Sequence, residues 1–174
     1  EDEYEQLLSE MDPSYVATML GHMYADDAVD VLNELDKEQV VSYLTIMDDE
    51  AAKEIKELLH YEEYTAGSIM TTEFIAIAAN QTVRSAMAIL KEEAPRAETI
   101  YYVYVIDEEK KLAGVISLRD LIVSKDDTVI GEIMNDRVVC VSVGEDQEEV
   151  ARMMKDYNFL ALPVVDFQNH LLGI

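Results

Sequence analysis

Val103-Tyr104-Val105-Ile106-Asp107, followed by Leu112-Ala113-Gly114-Val115-Ile116, is a pattern that this chain uses twice. The second copy is Leu162-Pro163-Val164-Val165-Asp166, followed by Leu171-Leu172-Gly173-Ile174. An Ile-Met pair opens each copy, at Ile69-Met70 and Ile133-Met134. Val115 lies 45 positions after Met70 and Ile174 lies 40 after Met134, the difference lying in an insert before Tyr101. A repeat of this size predicts two copies of one small α/β fold stacked on each other. Stacked copies leave clefts between them, and clefts bind regulators. The pattern points to sensing rather than catalysis.

Working outward, Phe74 to Ala78 reads as a short strand, and Thr82 starts a helix running through Lys91, stopped by Pro95. Ile100 to Ile106 is almost continuously apolar and aromatic, as a buried strand would be. Asp107 to Lys111 is a polar hairpin loop, Leu112 to Ser117 the next strand, and Leu118 to Val123 the start of a helix. The second copy gives strand Val138 to Val143, helix Gln147 to Asp156, strand Ala161 to Val165 and a strand from Leu171. Each unit is therefore β-α-β-β-α. The second ends at Gly173-Ile174, in mid-strand and without its last helix, so the chain reads as a fragment of something longer.

The first sixty residues keep a different rhythm. Four dodecads can be stacked, Asp12 to Met23, Tyr24 to Leu35, Asp36 to Met47 and Asp48 to Leu59. Their recurring apolar places are Val16, Met19, Leu20 and Met23, then Ala28, Val31, Leu32 and Leu35, then Val40, Tyr43, Leu44 and Met47. The fourth gives Ala51, Ile55 and Leu59, with Lys56 breaking the pattern. Spacings of three and four mark one helical face. Asp12, Asp36 and Asp48 stand where N-caps belong, with Pro13 at the first helical position. The rhythm predicts a small right-handed stack of helices, each too short to be stable alone. The fold class is thus α+β: a helical domain (1–60), a connector (61–68) in which Gly67 is expected to end a helix, and two repeats (69–130 and 131–174), the second incomplete.

Composition bounds the function. An apolar fraction of 49% marks a globular chain, and 37 acidic residues against 13 basic ones give a net charge of −24. Such a charge repels phosphate backbones and anionic lipid, which disfavours nucleic-acid and membrane-surface partners. It also destabilises the compact state unless a counter-charge arrives. A merely soluble acidic surface is one explanation, and a missing divalent cation is the other. Cys140 is the single cysteine, so there is no disulfide framework. It lies in the alternating run Val138-Val139-Cys140-Val141, where a buried small hydrophobe is expected. No stretch approaches the roughly 18 apolar residues of a membrane span, and no signal peptide is evident, both of which point to the cytoplasm.

The Ile-Met openers, the Val-Val-Asp strand end, the Leu-x-Gly strand and the segment Gly114-Val115-Ile116-Ser117-Leu118-Arg119-Asp120 together resemble the CBS domain, which occurs in tandem pairs. Tyr61-Glu62-Glu63-Tyr64-Thr65-Ala66-Gly67-Ser68-Ile69-Met70-Thr71 joins an acidic helical stack to that pair. With Glu98-Thr99-Ile100-Tyr101-Tyr102 and Asp146-Gln147-Glu148-Glu149-Val150-Ala151, essentially the whole chain resembles the cytosolic region of the MgtE family of magnesium channels. The resemblance implies a homodimer formed through the CBS domains, at the cytoplasmic face of the membrane and linked to a transmembrane pore that lies outside this chain. It also implies that the helical domain and the CBS pair sense Mg²⁺.

The resemblance places metal ligands on Asp26 and Asp30. Four residues apart, they share a helical face where like charges repel. Placement by the helix dipole explains Asp26 and Asp27 well and Asp30 less well. Mg²⁺ takes carboxylate oxygens and keeps several waters, so one or two carboxylates from each of two domains suffice to bridge them. On the CBS side the resemblance adds Glu148, the segment around Gly67-Ser68, and Asn158, which stands where the family pattern has Asp. Asn keeps a carbonyl oxygen but loses the charge, which weakens a site there. A solvated helix start is the competing reading for Glu148.

For a nucleotide, the resemblance nominates Ser117 and Asp120 to hold ribose and phosphate, and ATP as the ligand. Tyr102 and Phe159 would border the adenine or fill the core. Ser117 with Asp120 also reads as a helix cap. His22, His60 and His170 are scattered without zinc or triad spacing, and no glycine-rich phosphate loop appears. No nucleophile–base pattern supports an enzyme. The expected function is a Mg²⁺-sensing module that gates a magnesium channel, its alternative an adenine-nucleotide-sensing CBS module that regulates an enzyme or another transporter.

Overall fold

The computed structural model describes residues 7–174, which fall into two compact units divided between Glu63 and Tyr64. The first holds α1 (Pro13–Leu20), α2 (Ala25–Asn33), α3 (Lys37–Ile46) and α4 (Asp49–Leu58). Asp12 caps α1 by accepting from the Ser14 and Tyr15 N–H groups at 2.9 and 3.3 Å. Asp36 and Gln39 form a reciprocal capping box on α3, and Asp48 accepts from Glu50 N–H. Helices this short are held by packing. Here α1 packs on α3 and α2 on α4, burying Val16, Leu20, Ala28, Leu32 and Tyr43. In α4 the buried residues are Ala52, Ile55 and Leu58, while the expected Ala51 and Leu59 are only half-buried. The ridge at spacing three through Ile55 is the one that turns inward there.

The second unit carries two three-stranded sheets of the same design. β1 (Ala76–Ala78), β2 (Tyr102–Ile106) and β3 (Leu112–Ser117) form one, with β1 parallel and β3 antiparallel to β2. β4 (Val141–Ser142), β5 (Val164–Val165) and β6 (Leu171–Gly173) repeat it. The crossovers are α6 (Val83–Glu93), capped by Thr82, and α9 (Gln147–Tyr157), capped by Asp146. α7 (Leu118–Val123) follows β3. β1 and β4 are shorter than their hydrophobic runs. Phe74 lies outside β1 with its ring edge-on to Tyr104, and Val138 and Cys140 pack between the sheets. Along β2 the faces alternate: Val103 and Val105 join the core under α6 and α7, while Tyr104 clusters with Leu112 of β3 and with Val165 of the other repeat.

Each Ile-Met opener is a single helical turn that docks on the opposite repeat. These turns are α5 (Ala66–Ile69) and α8 (Ile130–Ile133). Ala66 and Gly67 N–H groups donate to Glu145 and Val143 carbonyls at 2.7 and 2.8 Å, and Gln147 N–H donates to Tyr64. In the same way, Ile130 and Gly131 donate to Gln81 and Ala79, and Ile130 sits in the first repeat's core. Gly67 therefore does not end a helix. It lies inside α5 with a negative φ, where its N–H is needed for the second repeat. The Leu-x-Gly strands receive the exchanged openers: a Cβ on Gly114 would lie 2.5 Å from Met134 Sδ, and one on Gly173 would lie 2.7 Å from Met70 Sδ. The hairpin tips also pair, Leu112 N–H donating to Asn169 O at 2.9 Å. At that tip burial alone would raise the Asp166 carboxyl, but donors from His170 and Gln168 hold it below the usual carboxylate range.

Candidate functional site

Because the openers are exchanged, the cleft between the sheets has walls from both repeats. A cavity of about 270 Å³ lies there. Tyr102 and Ser117 are cross-strand partners on β2 and β3, which puts an aromatic ring beside a hydroxyl on one wall. Asp120, one turn into α7, completes that side. Phe159, Ala161, Leu162 and Pro163 supply the opposite wall. The four residues nominated for a nucleotide, Tyr102, Ser117, Asp120 and Phe159, thus line one cavity.

Their chemistry is partly committed already. Ser117 caps α7, accepting from Asp120 N–H at 3.1 Å, and donates its hydroxyl to Asp120 Oδ2 at 2.7 Å. The Asp120 side chain returns to the hydroxyl rather than to the Ser117 N–H, so this is a shared hydroxyl and not a capping box. Asp120 stays exposed and keeps acceptor capacity for a ligand hydroxyl. Phe159 stacks on Tyr157 with centroids 5.4 Å apart and planes 9° from parallel.

Three further polar lining residues are not singled out by the sequence. Asn135 pairs its backbone with Val115 in both directions, at 3.0 and 2.9 Å, and its Oδ1 accepts from Arg137 N–H. That loop brings in Arg137, the one cation among the described lining residues. Asn135 follows directly on the Ile-Met opener and Arg137 lies three residues past it, which is the available signal. The third is Tyr104, 1% exposed, whose hydroxyl has no hydrogen-bond partner among the described residues. Burial, and secondarily the Tyr102 phenol, push its ionisation far above the ordinary range, so it stays neutral.

The residues nominated for metal are not gathered in this way. Asp26 is half-buried in the first turn of α2 and Asp30 is exposed one turn later, both in the first unit. Ser68 in α5 spends its hydroxyl locally, donating to Thr65 O at 2.9 Å and accepting from Thr65 N–H at 3.2 Å. α5 docks beside the start of α9, where Glu148 is exposed. Asn158 sits at the other end of α9, ten residues on and about 15 Å away. One ion cannot be shared by Glu148 and Asn158. Asn158 is also the left-handed cap of that helix (φ 54°, ψ 43°), a conformation Asn tolerates well. Among the described residues no group of three or more His, Cys, Asp or Glu is placed to hold a metal. A cage of three or more such side chains within one unit does not fit these residues. Mg²⁺, which keeps its waters and takes one or two carboxylates, would have to be held in the sparser way.

The helical unit matches the MgtE intracellular N domain over residues 1–64, and the repeats match the CBS domain over residues 66–126 and 130–174. The chain belongs to the MgtE family. The magnesium transporter MgtE of Enterococcus faecalis is 67% identical over 125 residues, covering 72% of this chain and 28% of that protein. MgtE of Thermus thermophilus is 46% identical over 152 residues, covering 86% and 34%. Among solved structures, the soluble part of a magnesium transporter superposes with a TM-score of 0.95 at 62% identity, covering 99% of this chain and 67% of that one. The cytosolic domain of the Mg²⁺ channel MgtE in complex with ATP gives 0.93 at 41%, covering 99% and 71%. The chain spans about a third or less of the length of these two MgtE relatives. Among its described residues no helix is long and apolar enough to cross a membrane.

Proposed function

We propose that this chain is the Mg²⁺-sensing regulatory region of an MgtE magnesium channel or transporter. In this reading Mg²⁺ closes the helical domain (1–60) onto the CBS pair (69–130 and 131–174) about the connector (61–68), and the closed form holds a covalently linked pore shut. The CBS pair dimerises with a second copy at the cytoplasmic face of the membrane. The observation that supports this is the placement of charge. Nineteen of the 37 acidic residues, but only Lys37, Lys53 and Lys56 of the 13 cationic ones, fall in residues 1–63. The second unit is also net acidic, so without a counter-ion the two repel. Asp26 and Asp30 on one side, and Glu148, Ser68 and Asn158 on the other, are the residues proposed to take the ions.

Several ions, each bound moderately, reach the magnitude needed. Reversing a two-state equilibrium from 1:99 to 99:1 needs about 5.5 kcal/mol of differential binding. One site at ten times its dissociation constant contributes about 1.4 kcal/mol, so roughly four such sites suffice. Replacing Asp26 and Asp30 by Ala should lower the number of Mg²⁺ ions taken up in a calorimetric titration. If the pair served only the helix dipole, uptake would be unchanged and the helix would lose about 0.3–1 kcal/mol per charge. Unchanged stoichiometry and affinity would remove these residues from the site.

The cavity favours a second role beside the first, binding of an adenine nucleotide. What supports it is one pocket offering aromatic walls (Tyr102, Phe159), a hydroxyl–carboxylate pair (Ser117, Asp120) and a guanidinium (Arg137), together with a relative's structure described as a complex with ATP. Ser117→Ala should cost about 1 kcal/mol of stability through the lost cap and also weaken ATP binding. A loss of stability with ATP affinity intact would leave Ser117 as a cap only.

A further inference from the structure

We infer that rotation of the helical domain is confined to Glu62 and Glu63, and that Tyr64 is the fixed edge of a rigid block running on into the CBS pair. This rests on the reading of Mg²⁺-driven closure and narrows its connector to two residues. Backbone bonds bracket the pair. On one side Tyr61 N–H donates to Leu58 O at 3.1 Å, which ties Tyr61 to the end of α4. On the other, Tyr64 O accepts from Gln147 N–H at 2.9 Å and Thr65 bridges to Asp146. Ala66 and Gly67 then donate to Glu145 and Val143. Residues 64–67 are thus fastened one after another to the second repeat, and a swing has to occur before them.

Tyr64 is also strained. Its φ is 64°, in the left-handed region that a bulky side chain occupies only under constraint. Among the described residues the other non-glycines there are Lys110 and Asn169, at the hairpin tips, and Asn158, at a helix cap, where that conformation is usual. Docking of the opener does not demand it. In the matching joint of the first repeat, Thr128 O accepts from Val83 N–H at 2.9 Å and Val129 bridges to Thr82, yet the φ of Thr128 is negative. What differs is the arriving chain, which reaches Thr128 from α7 of the same unit and Tyr64 from the helical unit. The left-handed turn therefore sets the direction in which the hinge leaves the block. Strain of this kind persists at switch regions, where the surrounding bonds over-determine it.

In Glu63→Pro the ring fixes φ at one hinge residue and drives Glu62 to extended backbone. Proline is compatible with a left-handed residue after it, and Glu63 N–H donates no backbone bond among the described residues, so the variant should fold. Its fall in radius of gyration on adding Mg²⁺ should be half that of the wild type or less. An equal fall in both proteins overturns the inference while closure stands. No fall in the wild type overturns closure and this inference with it. Should the variant not fold, hydrogen exchange of the wild-type chain decides the matter. The Ala66, Gly67 and Gln147 amides should stay protected with and without Mg²⁺. Free exchange of these amides in either condition overturns the inference.

Discussion

Magnesium chloride should raise the melting temperature of this chain well beyond sodium chloride at the same ionic strength. Both salts screen the repulsion within a chain of net charge −24, and screening depends on ionic strength. Only binding to the folded state adds more, about 2.7 kcal/mol for one site at a hundred times its dissociation constant. For a chain of this size each kcal/mol moves the midpoint by about 2–4 °C, so roughly 5–10 °C should separate the two salts. Parallel melts by circular dichroism measure the difference directly. Coincident curves would leave screening as the whole effect and remove the sensor.

Gly173→Ala should be among the most damaging single substitutions, and worse than Gly114→Ala at the matching place of the first repeat. A Cβ on Gly173 would meet Met70 Sδ and Thr71 O, both at 2.7 Å. Thr71 cannot retreat, because its N–H and carbonyl are both bonded to Ile174, at 2.9 and 3.0 Å. On Gly114 the closest atoms, at 2.5 and 2.9 Å, belong to the flexible Met134 side chain, and the nearest backbone oxygen is 3.1 Å away. Overpacking of this kind costs about 1–3 kcal/mol. Gly173→Ala should fall at the upper end and Gly114→Ala at the lower. Urea unfolding of both variants tests the order, and a Gly114→Ala that loses as much as Gly173→Ala would refute the backbone argument.

Much of this architecture was legible because local chemistry and tertiary position agree. Asp12, Asp36 and Asp48 announce helix starts and do cap them. The runs ending at Asp107 and Asp166 announce hairpins, and both are hairpins. Hydrophobic periodicity does not say which repeat a segment serves. The exchange of α5 and α8 was therefore hidden, and Gly67 was read by its residue type instead of its backbone partner. The α4 stripe slipped by a residue because Ala51 and Ala52 are equally apolar and only packing on α2 chooses between them. The cavity was half legible. Tyr102 and Ser117 follow from hairpin register, whereas Phe159 came only from resemblance. Tyr104 looked like core because a strand pattern records an apolar ring and not the fate of its hydroxyl. Arg137 is one basic residue in a loop, with no motif of its own to single it out.

Small-angle scattering of the wild-type chain, with and without Mg²⁺ at matched ionic strength, tests the central claim most directly. Repulsion between two net-acidic units should hold the metal-free form open, and Mg²⁺ should draw them together by binding the closed form more tightly. The radius of gyration should therefore fall on adding Mg²⁺ and should not fall on adding the equivalent NaCl. The Asp26→Ala, Asp30→Ala double variant should start more compact and respond less. An identical radius of gyration for the wild type in both salts would contradict Mg²⁺-driven closure.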